Sequence, residues 1–243
     1  MSLPITQRAV VVEKIGGPEV LELRTDYPVP VLQEGQVLVK NEVSGINYID
    51  TARGYTVSEE YLGYALEGIR DSFGREAAGT IVALGPNIDK YNLKVGDRVV
   101  WLGTSGYAEY TAAPASKTIK LPDGLSEEDA TASFLNGLTA LTLTRETYEV
   151  KAGDWVLLHA AAGGVGFLMT QILKEIGARV IGTAGGPEKV ALVKTLGADY
   201  VIDYRSDAGK SWVETVKEIT NGRGVDVVFD SVGRDTWEGS LEV

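Results

Sequence analysis

The sequence predicts an α/β protein in which a β-rich N-terminal domain precedes a doubly wound parallel sheet. Two observations lead to this prediction. Short strand-like runs separated by turn signals fill residues 1–120, and such spacing is typical of a small β-rich barrel. From residue 154 onward, apolar runs alternate with amphipathic segments, which predicts right-handed βαβ units and a parallel sheet.

Turn-forming residues divide the N-terminal region into its strand-like runs. Clusters such as Gly85-Pro86-Asn87 lie between the runs, and these residue types favour turns. The tripeptide Pro122-Asp123-Gly124 marks a junction, and Ser126 then begins a capping-box pattern that opens a helix. We therefore expect the first domain to span residues 1–125 and the second to span residues 126–243. The strands predicted for the first domain are Ala9–Val12, Val20–Leu23, Gln36–Val43, Thr80–Leu84, Arg98–Trp101 and Tyr107–Ala112.

The second domain is built around a strand, a glycine-rich turn and a helix that follow one another directly. The apolar strand spans Trp155–His159, and the helix ends at Gly177. Between them the spacing is that of G-x-G-x-x-G, with Ala161 in the first glycine position, followed by Gly163 and Gly166. Glycine lets the backbone approach a pyrophosphate, and the N-terminus of the helix offers unpaired N–H groups to it. The segment predicts a dinucleotide site with contacts from Ala162, Gly163, Gly164, Val165 and Gly166.

The residues after the second strand of this domain favour NADPH over NADH. A site for NAD typically places an acid there to hold the ribose 2′-hydroxyl. Here the strand Arg179–Thr183 is followed by Ala184-Gly185-Gly186, without an acid. Lys189 comes soon afterwards, and Tyr204-Arg205 ends the third strand. A neutral cleft with nearby cations suits a 2′-phosphate, although Lys189 is equally typical of a solvated helix surface. The candidate residues here are Thr183, Lys189 and Tyr204.

The fourth strand, Val225–Asp230, completes the predicted sheet. Ser231 and Val232 follow it, and we expect them beside the cofactor, because ligands sit beyond the carboxyl ends of such strands. In the usual doubly wound order the strands lie 3-2-1-4, which places the fourth strand at an edge. That strand is apolar apart from Asp226 and Asp230, and an unprotected edge invites pairing with another chain. The other predicted elements are helices over Glu188–Leu196 and Ser211–Thr220 and a strand over Tyr200–Asp203.

Composition excludes several functional classes. The chain has no cysteine and one histidine, which rules out disulfides and the usual nitrogen and sulfur ligands of zinc, so we expect no metal. It has no run of 18 apolar residues and no signal-peptide pattern at its start, so we expect a cytoplasmic protein that does not enter membranes. The net charge of −11 and the lack of a basic block disfavour nucleic acid.

Specific motifs extend over nearly the whole chain. They are Gly45-Ile-Asn-Tyr-Ile-Asp50, Gly74-Arg-Glu-Ala-Ala-Gly79, Val95-Gly-Asp-Arg-Val99, Gly137-Leu-Thr-Ala140, Ala160-Ala-Ala-Gly-Gly-Val-Gly166 and Phe229-Asp-Ser-Val-Gly233. In these motifs the chain resembles the zinc-free, zeta-crystallin-like quinone oxidoreductases of the medium-chain dehydrogenase/reductase superfamily. The resemblance implies a GroES-like N-terminal domain, a Rossmann domain, and a homodimer for the complete family protein. It also implies metal-free transfer of hydride or electrons from NADPH to a quinone in the interdomain cleft. Zinc alcohol dehydrogenases carry Gly-His-Glu where this chain has Gly74-Arg75-Glu76.

The resemblance also implies a set of site residues. Asn47, Tyr48 and Asp50 lie on one loop and could hydrogen-bond a quinone or a nicotinamide-ribose oxygen, although Asn and Asp also stabilise ordinary turns. Thr139 resembles the hydroxyl on the nicotinamide side, and its alternative role is a helix threonine bonded to its own backbone.

Three further residues lie outside this set. We interpret His159 as a packed core residue because it lies inside a strand. The pair Arg75-Glu76 forms either an internal ion pair or part of the cleft.

The chain departs from the family pattern in two places. Ala52 stands where the family has its active-site tyrosine, and residues 58–73 replace a proline-bearing cleft loop. A stripe of apolar residues predicts a helix there, with altered substrate access. The family also continues past Val243, so we expect this chain either to self-associate or to be part of a longer one, with weak reductase activity. The stripe consists of Leu62, Ala65, Leu66, Ile69 and Phe73.

Two other functions remain open at this stage. The first is NADPH-dependent reduction of the C=C bond of an enone or enal, which activity with quinones but not enones would exclude. The second is a nucleotide-binding protein with little catalysis, similar to the crystallins and RNA-binding proteins among the relatives of this family.

Overall fold

The computed structural model describes residues 3–12, 18–50, 73–207 and 211–243. The chain divides into two compact units, Met1–Leu135 and Asn136–Val243. Helix α1 (Glu127–Leu141) runs across this division, so the domain boundary after residue 125 stays a prediction.

Antiparallel strands build the first unit. They are β1 (Thr6–Val11), β2 (Glu22–Pro28), β3 (Gln36–Ser44), β4 (Glu76–Leu84), β5 (Arg98–Leu102), β6 (Tyr110–Pro114) and β7 (Thr118–Lys120). β1 and β2 pair as a two-stranded ribbon, and the others form a five-stranded sheet in the order β6-β3-β4-β5-β7. The predicted β-rich, GroES-like fold is confirmed for this unit.

Three of the predicted strands are displaced along the sequence, one begins earlier than predicted, and one was missed. The strand predicted at Ala9–Val12 spans Thr6–Val11, and the strand predicted at Thr80–Leu84 begins at Glu76. The strand predicted at Val20–Leu23 begins instead at Glu22, because Val20 closes a short 3₁₀ turn and Glu22 is the residue that pairs with Val11. The strand predicted from Tyr107 begins at Tyr110. The short strand β7 has too few residues to give a periodic signal.

The core of the first unit is formed by apolar strand residues, and the residues between them, such as Leu38 and Val100, are buried as well. Val37, Val39, Ile81, Val99 and Trp101 are fully buried there. Each such side chain contributes about 1.5–3 kcal/mol through removal of apolar surface from water. The strands that carry these residues also bring the loop after β3 beside the loop before β4.

The second unit contains a four-stranded parallel sheet in the order β10-β9-β8-β11. Its strands are β8 (Trp155–Leu158), β9 (Arg179–Ala184), β10 (Tyr200–Asp203) and β11 (Val227–Phe229). Its other helices are α2 (Gly164–Ile176), α3 (Pro187–Thr195), α4 (Trp212–Ile219) and α5 (Trp237–Ser240). Along the chain this order is 3-2-1-4, so the predicted Rossmann topology is confirmed.

Both faces of the parallel sheet are buried, which explains why its strands are almost wholly apolar. Val156, Leu158 and Val180 belong to one core cluster, while Leu157 and Ile181 belong to a second cluster. Because the strands run parallel, their carboxyl ends meet at one edge of the sheet. The candidate cofactor residues follow those ends.

One sequence prediction lies largely outside the described residues. The helix predicted over residues 58–73 falls there except for Phe73, and so does Ala52. Phe73 itself pairs its backbone with Val10 and Tyr107. Separately, a search of the described residues finds no helix with the length and apolar character needed to cross a membrane.

The close approach of β3 and β4 provides a test of the first unit. A Cβ at Gly79 would lie 2.9 Å from the Cα of Asn41 and would overlap the carbonyl oxygen of Lys40. These are backbone atoms of a paired strand and cannot rotate away, so Gly79→Ala should lower the free energy of unfolding by about 2–3 kcal/mol. At Gly137 the nearest atom to a Cβ is 3.8 Å away. Gly137→Ala should therefore raise the free energy of unfolding by up to about 1 kcal/mol. Urea denaturation measures both values, and a Gly79→Ala protein as stable as the natural one would contradict this packing.

Candidate active site

The turn between β8 and α2 leads directly into the N-terminus of the helix. Ala160 adopts a left-handed conformation with φ of 50°, and the Ala161 N–H donates to the Thr183 carbonyl at 2.9 Å. Gly163 occupies the N-cap position, and no side chain there bonds to the helix. The first N–H groups of α2 therefore lack a side-chain cap, which is the arrangement that binds phosphate groups.

One glycine of the motif, Gly166, is required by backbone contacts, and a second, Gly164, lies against a side chain. A Cβ at Gly166 would lie 2.5 Å from the Ala160 oxygen and 2.7 Å from the Ala161 Cα, so only glycine lets α2 pack this closely on the turn. A Cβ at Gly164 would lie 2.8 Å from Nδ2 of Asn136. The Asn136 side chain therefore covers the first residue of α2, a role that sequence analysis missed because Asn136 is distant in sequence from the motif.

A cavity of about 380 Å³ lies at the carboxyl edge of the parallel sheet. Three predicted cofactor residues, Thr183, Tyr204 and Val232, line it together. Tyr204 also covers the glycines after β9, because a Cβ at Gly185 would lie 2.5 Å from its hydroxyl and 2.9 Å from Nε of Arg205. The complete lining consists of His159, Ala160, Thr183, Tyr204, Trp212, Val232, Asp235 and Thr236.

The other predicted cofactor residues of the second unit are absent from this lining, and they are Thr139, Ala162, Gly163, Gly164, Val165, Gly166, Lys189 and Ser231. Lys189 is exposed on the first turn of α3, and Ser231 is exposed after β11. The acid nearest to the glycines after β9 is Asp203, whose Oδ1 accepts the backbone N–H groups of Gly186 and Arg205 at 2.9 and 3.0 Å. Asp203 thereby holds the turn that leads to α3.

His159 is buried and hydrogen-bonded through both ring nitrogens. Nδ1 lies 3.1 Å from Oγ1 of Thr183, and Nε2 lies 3.3 Å from Oγ of Ser240. The ring makes an edge contact with Trp212 at 4.8 Å. Burial lowers the pKa of His159 and outweighs the opposite effect of Asp230, which favours the neutral ring. His159 is thus packed, as expected from the sequence, and it also forms part of the cavity wall.

Asp230 organises the loop after β11. Its Oδ1 accepts the N–H groups of Val232 and Gly233, each at 2.9 Å, and its Oδ2 accepts the Ser240 hydroxyl at 2.8 Å. Burial acts to raise the pKa of Asp230, but these bonds and one from Thr236 outweigh it and hold the pKa below its usual value. The sequence indicated only that Asp230 ends a strand.

The loop after β3 places two of its three predicted residues in a cavity of the first unit. This cavity measures about 490 Å³, and Asn47 and Asp50 line it. The Tyr48 side chain is 92% exposed and is absent from the lining. Among the described residues, the lining consists of Val10, Leu21, Ser44, Ile46, Asn47, Asp50, Phe73 and Tyr107.

Asp50 connects the loop to a neighbouring tyrosine. Its Oδ2 accepts the Asn47 N–H at 2.9 Å and the Tyr107 hydroxyl at 2.7 Å. The first bond has the geometry of a capping box, because a short helix begins at Tyr48. Burial and the bond to Asp50 raise the pKa of Tyr107. Sequence analysis missed Tyr107, which lies 57 residues away from Asp50.

Glu76 lies beside this cavity; from the sequence it was either half of an ion pair with Arg75 or part of the cleft. Its carboxylate accepts Nδ2 of Asn47 through Oε1 and the backbone N–H of Leu135 through Oε2, both at 2.8 Å. Only 1% of the residue is exposed. Burial raises the pKa of Glu76, and the two hydrogen bonds oppose that effect. Thr139 lies further along α1 and is half-buried.

Comparison with known proteins agrees with this geometry. Residues 33–123 match the alcohol dehydrogenase GroES-like domain, and residues 164–243 match the zinc-binding dehydrogenase family. The quinone oxidoreductase of Salmonella typhimurium is 44% identical over 231 residues, which cover 94% of this chain and 67% of that protein. The chain belongs to the quinone oxidoreductase family.

Other members of this family and its superfamily share the fold. The crystal structure of the Escherichia coli quinone oxidoreductase complexed with NADPH has a TM-score of 0.85 and 40% identity, covering 97% of this chain and 69% of that one. A 2-haloacrylate reductase from a Burkholderia species is 36% identical over 250 residues, covering 96% of this chain and 69% of that protein. The chain therefore spans about two thirds of the length of these relatives.

The donor set of this family member does not fit a zinc site, although one matching family is described as zinc-binding. The chain has no cysteine and one histidine, and both nitrogens of that histidine already lie against hydroxyl groups. Among the described residues, no group of three or more His, Cys, Asp or Glu side chains could hold a metal ion.

The loop held by Asp230 provides a test of the second unit. The lowered pKa means that the ionised carboxylate stabilises the fold above the ordinary carboxyl pKa of about 4, and that this contribution disappears as the pH falls through the folded value. Asp230→Asn should lower the free energy of unfolding at pH 7 by about 1–2 kcal/mol, and the difference should shrink in acid. Denaturation at pH 7 and pH 3 measures this, with the exposed Asp235→Asn as the control. A deficit that grows as the pH falls would contradict the role of Asp230.

Proposed function

We propose that this protein is an NADPH-dependent quinone oxidoreductase. The observation that carries the proposal is the N-terminus of α2, which has no side-chain cap at Gly163 and follows the cavity residue Ala160. No acid directly follows β9; Tyr204 lines the cavity, and Arg205 lies beside Gly185. The related E. coli quinone oxidoreductase is complexed with NADPH in its crystal structure, and quinone reduction is the activity in the names of the relatives.

The residues present fit this cofactor. The first N–H groups of α2, from Gly164 to Gly166, would bind the pyrophosphate, with Ala162 and Gly163 in the turn before them. Lys189, Tyr204 and Arg205 would hold the 2′-phosphate, and Val232 and Thr183 would line the nucleotide. Bound NADPH supplies a hydride, and reduction of a quinone to a hydroquinone also consumes one proton, which solvent can deliver.

The cavity of the first unit is the proposed quinone site. Val10, Leu21, Ile46 and Phe73 form an apolar wall that suits a flat, uncharged ring. Asn47 and Asp50 place polar groups on the same wall, and we propose that they hydrogen-bond the ring system or the nicotinamide ribose. We also propose that Tyr48 hydrogen-bonds the quinone or the nicotinamide ribose, and that the Thr139 hydroxyl lies on the nicotinamide side. The same set of residues would act without a metal.

One relative supports a second candidate reaction. The 2-haloacrylate reductase at 36% identity reduces, by its name, an activated C=C bond. The same hydride donor and an apolar cavity would serve such a substrate, and the hydrogen-bonding residues would then face a carbonyl or carboxylate group instead of a quinone oxygen.

For the complete protein we propose a cytoplasmic homodimer that requires neither a membrane nor a nucleic acid. The net charge of −11 supports the last point, because it opposes association with polyanions.

Steady-state kinetics test the proposed activity. The protein should oxidise NADPH in the presence of a 1,4-benzoquinone or 1,4-naphthoquinone, more efficiently than it oxidises NADH. Exhaustive treatment with a chelator should leave the rate unchanged, since no metal takes part. Turnover of 2-haloacrylate or an enone at a higher kcat/KM than any quinone would favour the alternative, and loss of activity on chelation would contradict the metal-free proposal.

The role of Lys189 is tested by calorimetry. Lys189→Ala should weaken NADPH binding by about 1–3 kcal/mol, the scale of one charge-assisted contact, and should leave NADH binding nearly unchanged. Lys194→Ala is the matched control, because Lys194 is exposed on the last turn of the same helix. Equal losses for both cofactors would exclude the contact with the 2′-phosphate.

A further inference from the structure

We infer that Glu76 is a positioning residue that sets the orientation of the Asn47 side-chain amide, so that Asn47 offers its ligand an acceptor and not a donor. This inference rests on the proposed function, because it concerns the same cavity of the first unit.

The first step is the chemistry of the Glu76 carboxylate. It is almost fully buried, and each of its oxygens accepts one N–H group, from Asn47 and from Leu135. An ionised carboxylate can only accept hydrogen bonds. The atom of Asn47 that contacts it must therefore be Nδ2. If the amide were reversed, Oδ1 of Asn47 would face Oε1 of Glu76, and both atoms are acceptors.

The second step is the group that remains available on Asn47. Its backbone N–H is used by Asp50, and its Nδ2 is used by Glu76. Within the described part of the chain, no group donates to its Oδ1. Asn47 lines the cavity, so this oxygen is the group that it presents to a ligand.

The third step is the kind of ligand atom that such an oxygen recognises. An oxidised quinone has only acceptors on its ring oxygens, so it gains nothing from Asn47 Oδ1. A ribose hydroxyl or carboxamide N–H of the nicotinamide half, or the O–H of the hydroquinone product, is a donor. Glu76 therefore makes Asn47 a partner for the cofactor or for the hydroquinone product, so the contact proposed between Asn47 and the ring system is made by the reduced ring.

The fixed geometry of Leu135 makes Glu76 sensitive to a minimal substitution. The N–H of Leu135 belongs to the backbone of α1 and cannot become an acceptor, so the oxygen of a glutamine at position 76 must face it. The amide nitrogen of that glutamine then faces Asn47, which must rotate its own amide to accept. Glu76→Gln therefore turns Nδ2 of Asn47 toward the ligand and replaces the acceptor with a donor.

Glycine at position 45 belongs to the same arrangement. A Cβ there would lie 2.6 Å from Cγ of Glu76 and 2.8 Å from its Cδ, and the buried Glu76 has no room to move aside without leaving Asn47. Gly45→Ala is therefore a second, independent way to displace the carboxylate without changing its chemistry.

A double-mutant rescue tests the inference. Glu76→Gln should lower kcat with NADPH and a 1,4-naphthoquinone by about 10- to 100-fold, the effect of losing one hydrogen bond that a charged group supports. Adding Asn47→Asp to Glu76→Gln should raise kcat at least about tenfold above that of Glu76→Gln. The reason is that the aspartate accepts a hydrogen bond from the glutamine and presents an acceptor to the ligand. Asn47→Asp alone should be impaired, because two carboxylates would then meet and share a proton.

The controls separate this role from a structural one. Glu128→Gln, at an exposed position on the first turn of α1, should leave kcat unchanged. Gly45→Ala should lower kcat as Glu76→Gln does, while calorimetry shows that the affinity for NADP⁺ changes less than kcat. If the natural protein shows no quinone-dependent oxidation of NADPH, the proposed function fails. The inference about Glu76 is wrong if the natural protein is active and either of two results is found. The first is a kcat of Glu76→Gln equal to that of the natural protein, and the second is a kcat of the double variant no higher than that of Glu76→Gln.

Discussion

The contact between the start of α2 and the end of β8 is the constraint on which the second unit depends. At Gly166 the helix backbone lies so close to Ala160 and Ala161 that no side chain could be accommodated. This approach places the start of the helix beside the turn that follows β8, and the N-cap residue there provides no side-chain hydrogen bond. One packing requirement therefore produces both a stable strand–helix junction and a binding site for a negatively charged group.

The first unit solves a different problem, which is to keep polar groups in place inside an apolar wall. Asp50 and Glu76 are both buried, and a buried carboxylate is costly unless hydrogen bonds satisfy it. The donors to Glu76 are the side chain of Asn47 and the Leu135 backbone, and the donors to Oδ2 of Asp50 are the Asn47 backbone and the Tyr107 hydroxyl. In the described part of the chain, Oδ1 of Asp50 has no hydrogen-bond partner. The acids thereby hold Asn47 by two separate bonds, one on its backbone and one on its amide.

Sequence reasoning predicted the second unit better than the first. The strand order 3-2-1-4 and the helix after the glycine turn followed from apolar periodicity and from the handedness of βαβ units. In the first unit, β1, β2 and β6 were displaced by a few residues and β7 was missed. Short antiparallel strands carry weak periodic signals, and their ends are set by pairing partners that local sequence does not reveal.

By itself the sequence determined the fold class, the glycine turn and the absence of an acid after β9, because each of these depends on residues that are close together in the sequence. Only the tertiary structure decided how the polar residues meet. Glu76 lies 29 residues from Asn47 and 59 from Leu135, Tyr107 lies 57 from Asp50, and Ser240 lies 81 from His159. Local periodicity specifies which face of a strand or helix is apolar, but the pairing of a distant donor with an acceptor depends on how the completed elements pack. That packing makes Glu76 an anchor for Asn47 and makes His159 part of a cavity wall.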